Sequence, residues 1–213
     1  SLAVRKDGTV WAGSSAGMLL AYNEEAGRYE AAGVPGGGRV DATTTIMYED
    51  AAGTLWGGCN DGRIWRLEDK DDQPQWISVG PNLEEWVEDI METPDGRLWF
   101  SSLGSGLLRL DPYGTSPPVT YTQQDGLLSN TINGGTVDRE GNLWIGSDQG
   151  LSRIRYNYEA FGHFTAASYT GEQPALPAAT VTSVEPMDQP GEQSGIWAGT
   201  TGGLAFLRPA DSS

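Results

Sequence analysis

EGNLWIGSDQGLSRIR, running from Glu140 to Arg155, carries the clearest copy of a phrase that organises the whole chain. It strings together an acid-Gly turn, an apolar run centred on a tryptophan, a short polar loop closed by Gly, and a second apolar run. The phrase occurs four more times: DGTVWAGSSAGMLLAY from Asp7, AGTLWGGCNDGRIWRL from Ala52, DGRLWFSSLGSGLLRL from Asp95 and SGIWAGTTGGLAFL from Ser194. The marker residues Trp11, Trp56, Trp99, Trp144 and Trp197 recur at intervals of 45, 43, 45 and 53 residues. A period in the forties that holds several short strands is the signature of a β-propeller.

Each copy divides into four strand-sized pieces. In the fourth copy these are expected at residues 131–138, 142–147, 151–156 and 161–167, a turn every eight to twelve positions, as in an antiparallel meander. The pairs Asp7-Gly8, Asp95-Gly96 and Glu140-Gly141 fall between first and second strands, where Gly supplies a positive φ and the acid caps the turn. The marker Trp then sits on the second strand, in a position to fill space between neighbouring blades. Residues 82–91 (NLEEWVEDIM) carry helical spacing, but their place before Asp95-Gly96 is that of the innermost strand of the third blade, and strand is the reading adopted. Long loops over 168–180 and 188–195 account for the stretched last interval.

The expectation is an all-β, single-domain propeller of five four-stranded antiparallel blades, at about 1–33, 34–80, 81–124, 125–170 and 171–213. The last blade is incomplete, since no fourth strand follows its third. Two readings stay open: a ring closed at five blades, or part of a larger ring.

Composition narrows the function. Thirteen basic residues against 29 acidic ones give a formal charge of −16. Such a surface repels phosphates and anionic lipid, so neither nucleic acid nor direct membrane binding is expected. Cys59 is the sole cysteine; it permits no internal disulfide and no thiolate cluster, and reads as a buried bystander in a slot held elsewhere by Ser147 and Thr200. No metal site and no cofactor are expected. No apolar run approaches the roughly 18 residues of a membrane span, and the first residues carry no signal-peptide pattern.

The stretch Tyr121–Arg155 (YTQQDGLLSNTINGGTVDREGNLWIGSDQGLSRIR) closely resembles the repeat of two-component regulator propellers. The matching residues are Asp125, Gly126, Leu127, Ser129, Asn130, Asp138, Gly141, Leu143, Trp144, Ile145, Gly146, Gly150 and Leu151. The other copies keep the tryptophan core and lose the DGLxSN phrase. The resemblance implies a propeller, usually of seven blades in that family, that serves as the periplasmic or extracellular sensory domain of a membrane-bound hybrid histidine kinase. Oligosaccharides are among that family's ligands.

Strand direction places the loops between second and third strands, and those leading into the next blade, on one upper face. These are 13–17, 58–62, 101–106, 146–150, 199–203, 36–41, 80–86 and 123–130. Asn60, Asp61, Asp148 and Gln149 belong to that face. The candidate ligand-binding residues are Glu84, Glu85, Trp86, Asp125, Ser129 and Asn130. They begin the innermost strands of blades three and four and are expected to share one funnel. Carboxylates, amides and one indole suit a neutral polyol or a cationic group, with Arg39 the one basic residue nearby. The same residue types also favour turns for purely structural reasons.

No catalytic residues are expected. Glu84 and Glu85 adjoin, so on a strand they face opposite sides and form no acid–base pair. His163 falls on the outermost strand of blade four, which leaves a histidine-centred lyase mechanism without its base. The reading is a non-enzymatic extracytoplasmic sensor or binding propeller for a small molecule such as an oligosaccharide. The alternative is a structural propeller that docks a partner chain or further blades, with a propeller lyase or hydrolase third.

Overall fold

Left-handed turns set the topology. Gly8, Gly53, Gly96 and Gly141 take φ of 87, 87, 77 and 82°, values that side chains with a Cβ resist. Each reverses the chain between the first and second strands of a copy. At the first of them Asp7 Oδ1 accepts the Thr9 N–H at 2.8 Å. In the computed structural model the described residues are 1–15, 17–31, 42–70, 73–155, 161–165, 176–187 and 195–208.

Five antiparallel sheets follow in chain order. The first holds β1 (Leu2–Val4), β2 (Val10–Gly13), β3 (Leu19–Asn23) and β4 (Arg28–Ala31). The second holds β5 (Thr44–Glu49), β6 (Leu55–Cys59), β7 (Ile64–Lys70) and β8 (Gln73–Val79). The third holds β9 (Val87–Glu92), β10 (Leu98–Ser102), β11 (Leu107–Leu110) and β12 (Val119–Tyr121). The fourth holds β13 (Ile132–Val137), β14 (Leu143–Ser147), β15 (Gly150–Ile154) and β16 (Phe161–Phe164). The fifth has three strands among the described residues, β17 (Val181–Met187), β18 (Gly195–Thr200) and β19 (Gly203–Leu207). Every sheet is a meander in which sequence neighbours pair, the construction of β-propeller blades.

The segment 82–91 is a strand only from Val87 onward. Glu84, at φ 64°, reverses the chain ahead of it, so neither a helix nor a ten-residue strand can form. The stretches 168–175 and 188–194, within the two long loops expected, lie outside the described residues.

The chain divides into two compact units, Ser1–Glu92 and Thr93–Ser213. In the first unit Trp11, Leu19, Met47, Leu55 and Trp76 form a buried cluster, with the Trp11 and Trp76 rings edge to face at 5.9 Å. In the second, Trp144 and Leu151 of the fourth sheet are buried with Val181, Val184, Ile196 and Leu207 of the fifth. A tryptophan buried between blades in this way contributes roughly 4–6 kcal/mol of apolar transfer free energy.

Three markers share one environment. Trp56, Trp99 and Trp144 are fully buried and pair across the sheet with Arg66, Arg109 and Arg153. Those guanidinium groups lie 5.6, 5.8 and 5.5 Å from the indole centroids. Each indole N–H donates to the residue six positions earlier: Asp50 at 2.8 Å, Thr93 at 3.2 Å and Asp138 at 2.7 Å. The packing equivalence expected of all five markers stops there. Trp11 is buried opposite Ala21, and its Nε1 has no hydrogen-bond partner among the described residues, because Arg5, a donor, stands six positions before it. Trp197 lies opposite Phe206 and is 38% exposed.

Candidate functional site

Within Ser1–Glu92 the loops expected on one face do meet. The Thr43 hydroxyl donates to Ser15 O at 3.1 Å, which ties the β2–β3 loop to the entry of the second sheet. Asn60 N donates to Thr43 O at 2.9 Å, and Thr43 N returns a bond to Asn60 Oδ1 at 2.9 Å. The loop before β9 then rests on the β6–β7 loop, with Leu83 N donating to Gly62 O at 3.1 Å. Gly62 is required there, since a Cβ would stand 2.3 Å from Glu84 N.

Leu83 is buried and anchors this loop. Beyond it Glu84, Glu85 and Trp86 are exposed in succession, the indole by 47%. The three candidate residues of this unit therefore form one solvent-facing rim on a rigid base. Asp61 is committed elsewhere, bonded to Arg63 Nε at 2.6 Å. Two residues into β9, burial and the neighbouring Asp89 carboxylate push the Glu88 carboxyl above its ordinary range. The local field is acidic.

Within Thr93–Ser213 the DGLxSN phrase builds a loop. Residues Gln123–Asp125 form a short 3-10 turn. The Asp125 carboxylate accepts from Thr122 N and from the Thr122 hydroxyl, both at 2.9 Å. Asn130 Oδ1 accepts the Gln123 N–H at 2.8 Å. Ser129, buried, accepts the Thr131 N–H at 3.0 Å. These three candidate residues are brought together in one loop, and an oxygen of each side chain holds backbone. The six candidates thus form two groups, each on its own unit. Residues 36–41, including Arg39, lie outside the described residues.

Sequence reasoning missed the acceptors beneath the tryptophans. Asp50, Thr93 and Asp138 are buried and bonded to the indoles; their constant offset of six from the marker was the available signal. It also missed the acid one position nearer the strand. Glu49 accepts the Lys6 N–H at 2.6 Å and Glu92 the Ala51 N–H at 2.7 Å, each clasping the hairpin of the preceding blade. His163 is exposed on β16, as expected. Cys59 is buried; burial, then Asp61, pushes its thiol up to about 11. Among the described residues no group of three His, Cys, Asp or Glu side chains is placed to hold a metal ion, and no helix is long and apolar enough to cross a membrane.

Comparison with solved structures gives the class. The chain aligns over 99% of its length, with TM-score 0.73 and 19% identity, to the extracellular domain of a putative hybrid two-component system from B. thetaiotaomicron. A second such extracellular domain from that organism matches with TM-score 0.66 and 17% identity over 98% of this chain. Virginiamycin B lyase from Staphylococcus aureus matches with TM-score 0.65 and 18% identity over 98% of this chain and 69% of its own. The chain spans only 27% and 33% of these two extracellular-domain structures. No protein-family model matches the chain, and no curated protein matches its sequence significantly. The fold is therefore that of β-propellers, shared with the extracellular domains of two-component systems that the repeat at Tyr121–Arg155 resembles.

Proposed function

We propose that this chain is the recognition module of an extracytoplasmic sensor, periplasmic or extracellular, that binds a small neutral polyol such as an oligosaccharide without transforming it. The observation that carries the ligand class is Trp86. A half-exposed indole on a loop clamped by Gly62 offers a flat apolar face, and Glu84 and Glu85 beside it accept hydrogen bonds from hydroxyls. Sugar rings present that combination of apolar face and hydroxyl rim. The acidic surroundings oppose an anionic ligand, so uronic acids are disfavoured. The likeness to extracellular domains of putative two-component systems supports the sensor reading. A partner-docking role is the second reading, favoured by exposed Leu204 and Trp197 on the fifth sheet.

A thermal-shift panel of neutral, cationic and uronic oligosaccharides tests the proposal. Stabilisation by neutral members, absent for uronic ones, is the expected result. Stabilisation by uronic members alone, or turnover of any member, would overturn it.

A further inference from the structure

We infer, building on the reading of the Trp86 rim as a sugar site, that the ligand carries an acetamido group: the class recognised is a neutral oligosaccharide of N-acetylated amino sugars. Glu84 and Glu85, when ionised, supply hydrogen-bond acceptors only. What selects the acetamido group is the pair of donors beside them, Asn60 and Asn82.

The backbone orients both amides. Asn60 Oδ1 accepts the Thr43 N–H at 2.9 Å, and Asn82 Oδ1 accepts the Glu84 N–H at 2.8 Å. A backbone N–H only donates, so the oxygen must face it and neither amide can turn over without losing that bond. Neither Nδ2 has a hydrogen-bond partner among the described residues. Asn23, the third asparagine of Ser1–Glu92, shows the contrast. Its oxygen accepts the Ala26 N–H at 3.0 Å and its Nδ2 donates to Glu30 at 3.1 Å. That amide is consumed by its own hairpin, whereas the other two are held with donors to spare.

Both oriented amides stand against the base of the rim. Asn60 is the second residue of the turn that the Gly62 N–H closes onto Cys59 O at 3.2 Å. Asn82 Oδ1 would lie 2.5 Å from a Cβ on Gly62, so Gly62 has one amide in its own turn and the other across the loop contact. Asn82 is exposed, as are Glu84, Glu85 and Trp86, and Asn60 is half-buried.

A secondary amide on a pyranose asks for one donor to its carbonyl and one acceptor from its N–H, on an uncharged body with an apolar ring face and a methyl group. Asn82 Nδ2 meets the carbonyl, the Glu84 carboxylate two residues on meets the N–H, and the Trp86 indole takes the ring face and methyl. Asn60 Nδ2 serves a neighbouring hydroxyl. An unacetylated amino sugar would use the carboxylates and leave the oriented donors idle, and a uronate would use the donors and be repelled by the carboxylates. A hydroxyl donates and accepts at a single oxygen, so a plain glucan draws no advantage from the pairing.

Calorimetric titration of the full chain with chitotriose, its deacetylated form and cellotriose, which share one β-linked backbone, tests the inference. Chitotriose is expected to bind about tenfold or more tightly than cellotriose, because a site built around a polar group rejects the analogue that lacks it. Asn82→Asp keeps the oxygen that holds Glu84 N and removes the donor. Its melting midpoint should match the parent while the preference for chitotriose shrinks to within about threefold. Asn60→Asp, built on the same logic, should weaken both neutral trimers alike. Equal binding of chitotriose and cellotriose by the parent overturns the inference and leaves the polyol reading standing, whatever the variants do. Tightest binding of the deacetylated trimer overturns it, as does a preference that survives Asn82→Asp at an unchanged midpoint. Absence of binding by all three overturns it as well; the polyol reading falls only if the whole neutral panel also leaves the melting midpoint unshifted.

Discussion

Replacing Asp138 by Ala removes a buried acceptor on which a blade core is assembled. Its carboxylate receives Trp144 Nε1 at 2.7 Å, Asn142 N at 2.8 Å and Asn142 Nδ2 at 2.9 Å. The Trp144 ring is wholly buried, so the variant leaves the indole N–H desolvated and unpaired at about 1–3 kcal/mol. The turn bonds to a charged acceptor contribute about 1–2 kcal/mol more, reduced because Asn142 is half-buried and regains water. The expected loss is about 3–4 kcal/mol, a large part of the roughly 5–15 kcal/mol typical of a domain. Asp138→Thr provides the internal control. Thr93 already plays this part for Trp99 with a bond of 3.2 Å, so the hydroxyl should recover about half of the loss. Urea denaturation followed by tryptophan fluorescence measures both variants. An Ala variant within about 1 kcal/mol of the parent would refute the reasoning, and so would a Thr variant as unstable as Ala.

Gly146→Val forces a side chain against Val181 Cγ1, 2.7 Å from the new Cβ. It should cost about 1–3 kcal/mol or more in urea midpoints, whereas Gly162→Ala, whose Cβ would meet nothing nearer than 4.0 Å, should be near neutral. For Glu88, burial and Asp89 raise the folded-state pKa; its favourable contribution is present at low pH and lost as pH rises through that raised value. Glu88→Gln should therefore stabilise the protein at pH 7, with the advantage vanishing below about pH 4; equal melting midpoints across that range would contradict the shift. The Cys59 thiol, buried and pushed up to about 11, should resist a disulfide reagent at pH 8 until urea unfolds the chain. Rapid labelling of the native protein would place it at the surface instead.

The blades were legible because their signals are local. Turn glycines and alternating apolar residues around a marker Trp fix strand and turn within about fifteen residues, and the fourth sheet follows its expected pieces to within a few residues at each end. The role of each polar residue was not legible. Asp138 and Asp125 stand in similar acidic, Gly-containing phrases. One lies beneath an indole and the other caps a 3-10 turn, a difference made by which N–H groups converge on each oxygen once the strands have paired. Glu84, Glu85 and Trp86 were legible as candidates only through their place before β9; their exposure depends on the buried Leu83 and on Gly62 in the β6–β7 loop. The partial exposure of Trp197, against the burial of Trp144, is a matter of tertiary packing that no local phrase encodes.

Calorimetric titration of the parent chain and of Trp86→Ala with the neutral oligosaccharide that stabilises best probes the recognition rim organised around Trp86. Trp86 is half-exposed and outside the buried core, so melting midpoints should stay close while affinity falls about tenfold or more, in the manner of an aromatic anchor. Equal affinity in the two proteins, at equal stability, would rule Trp86 out as the ligand's anchor.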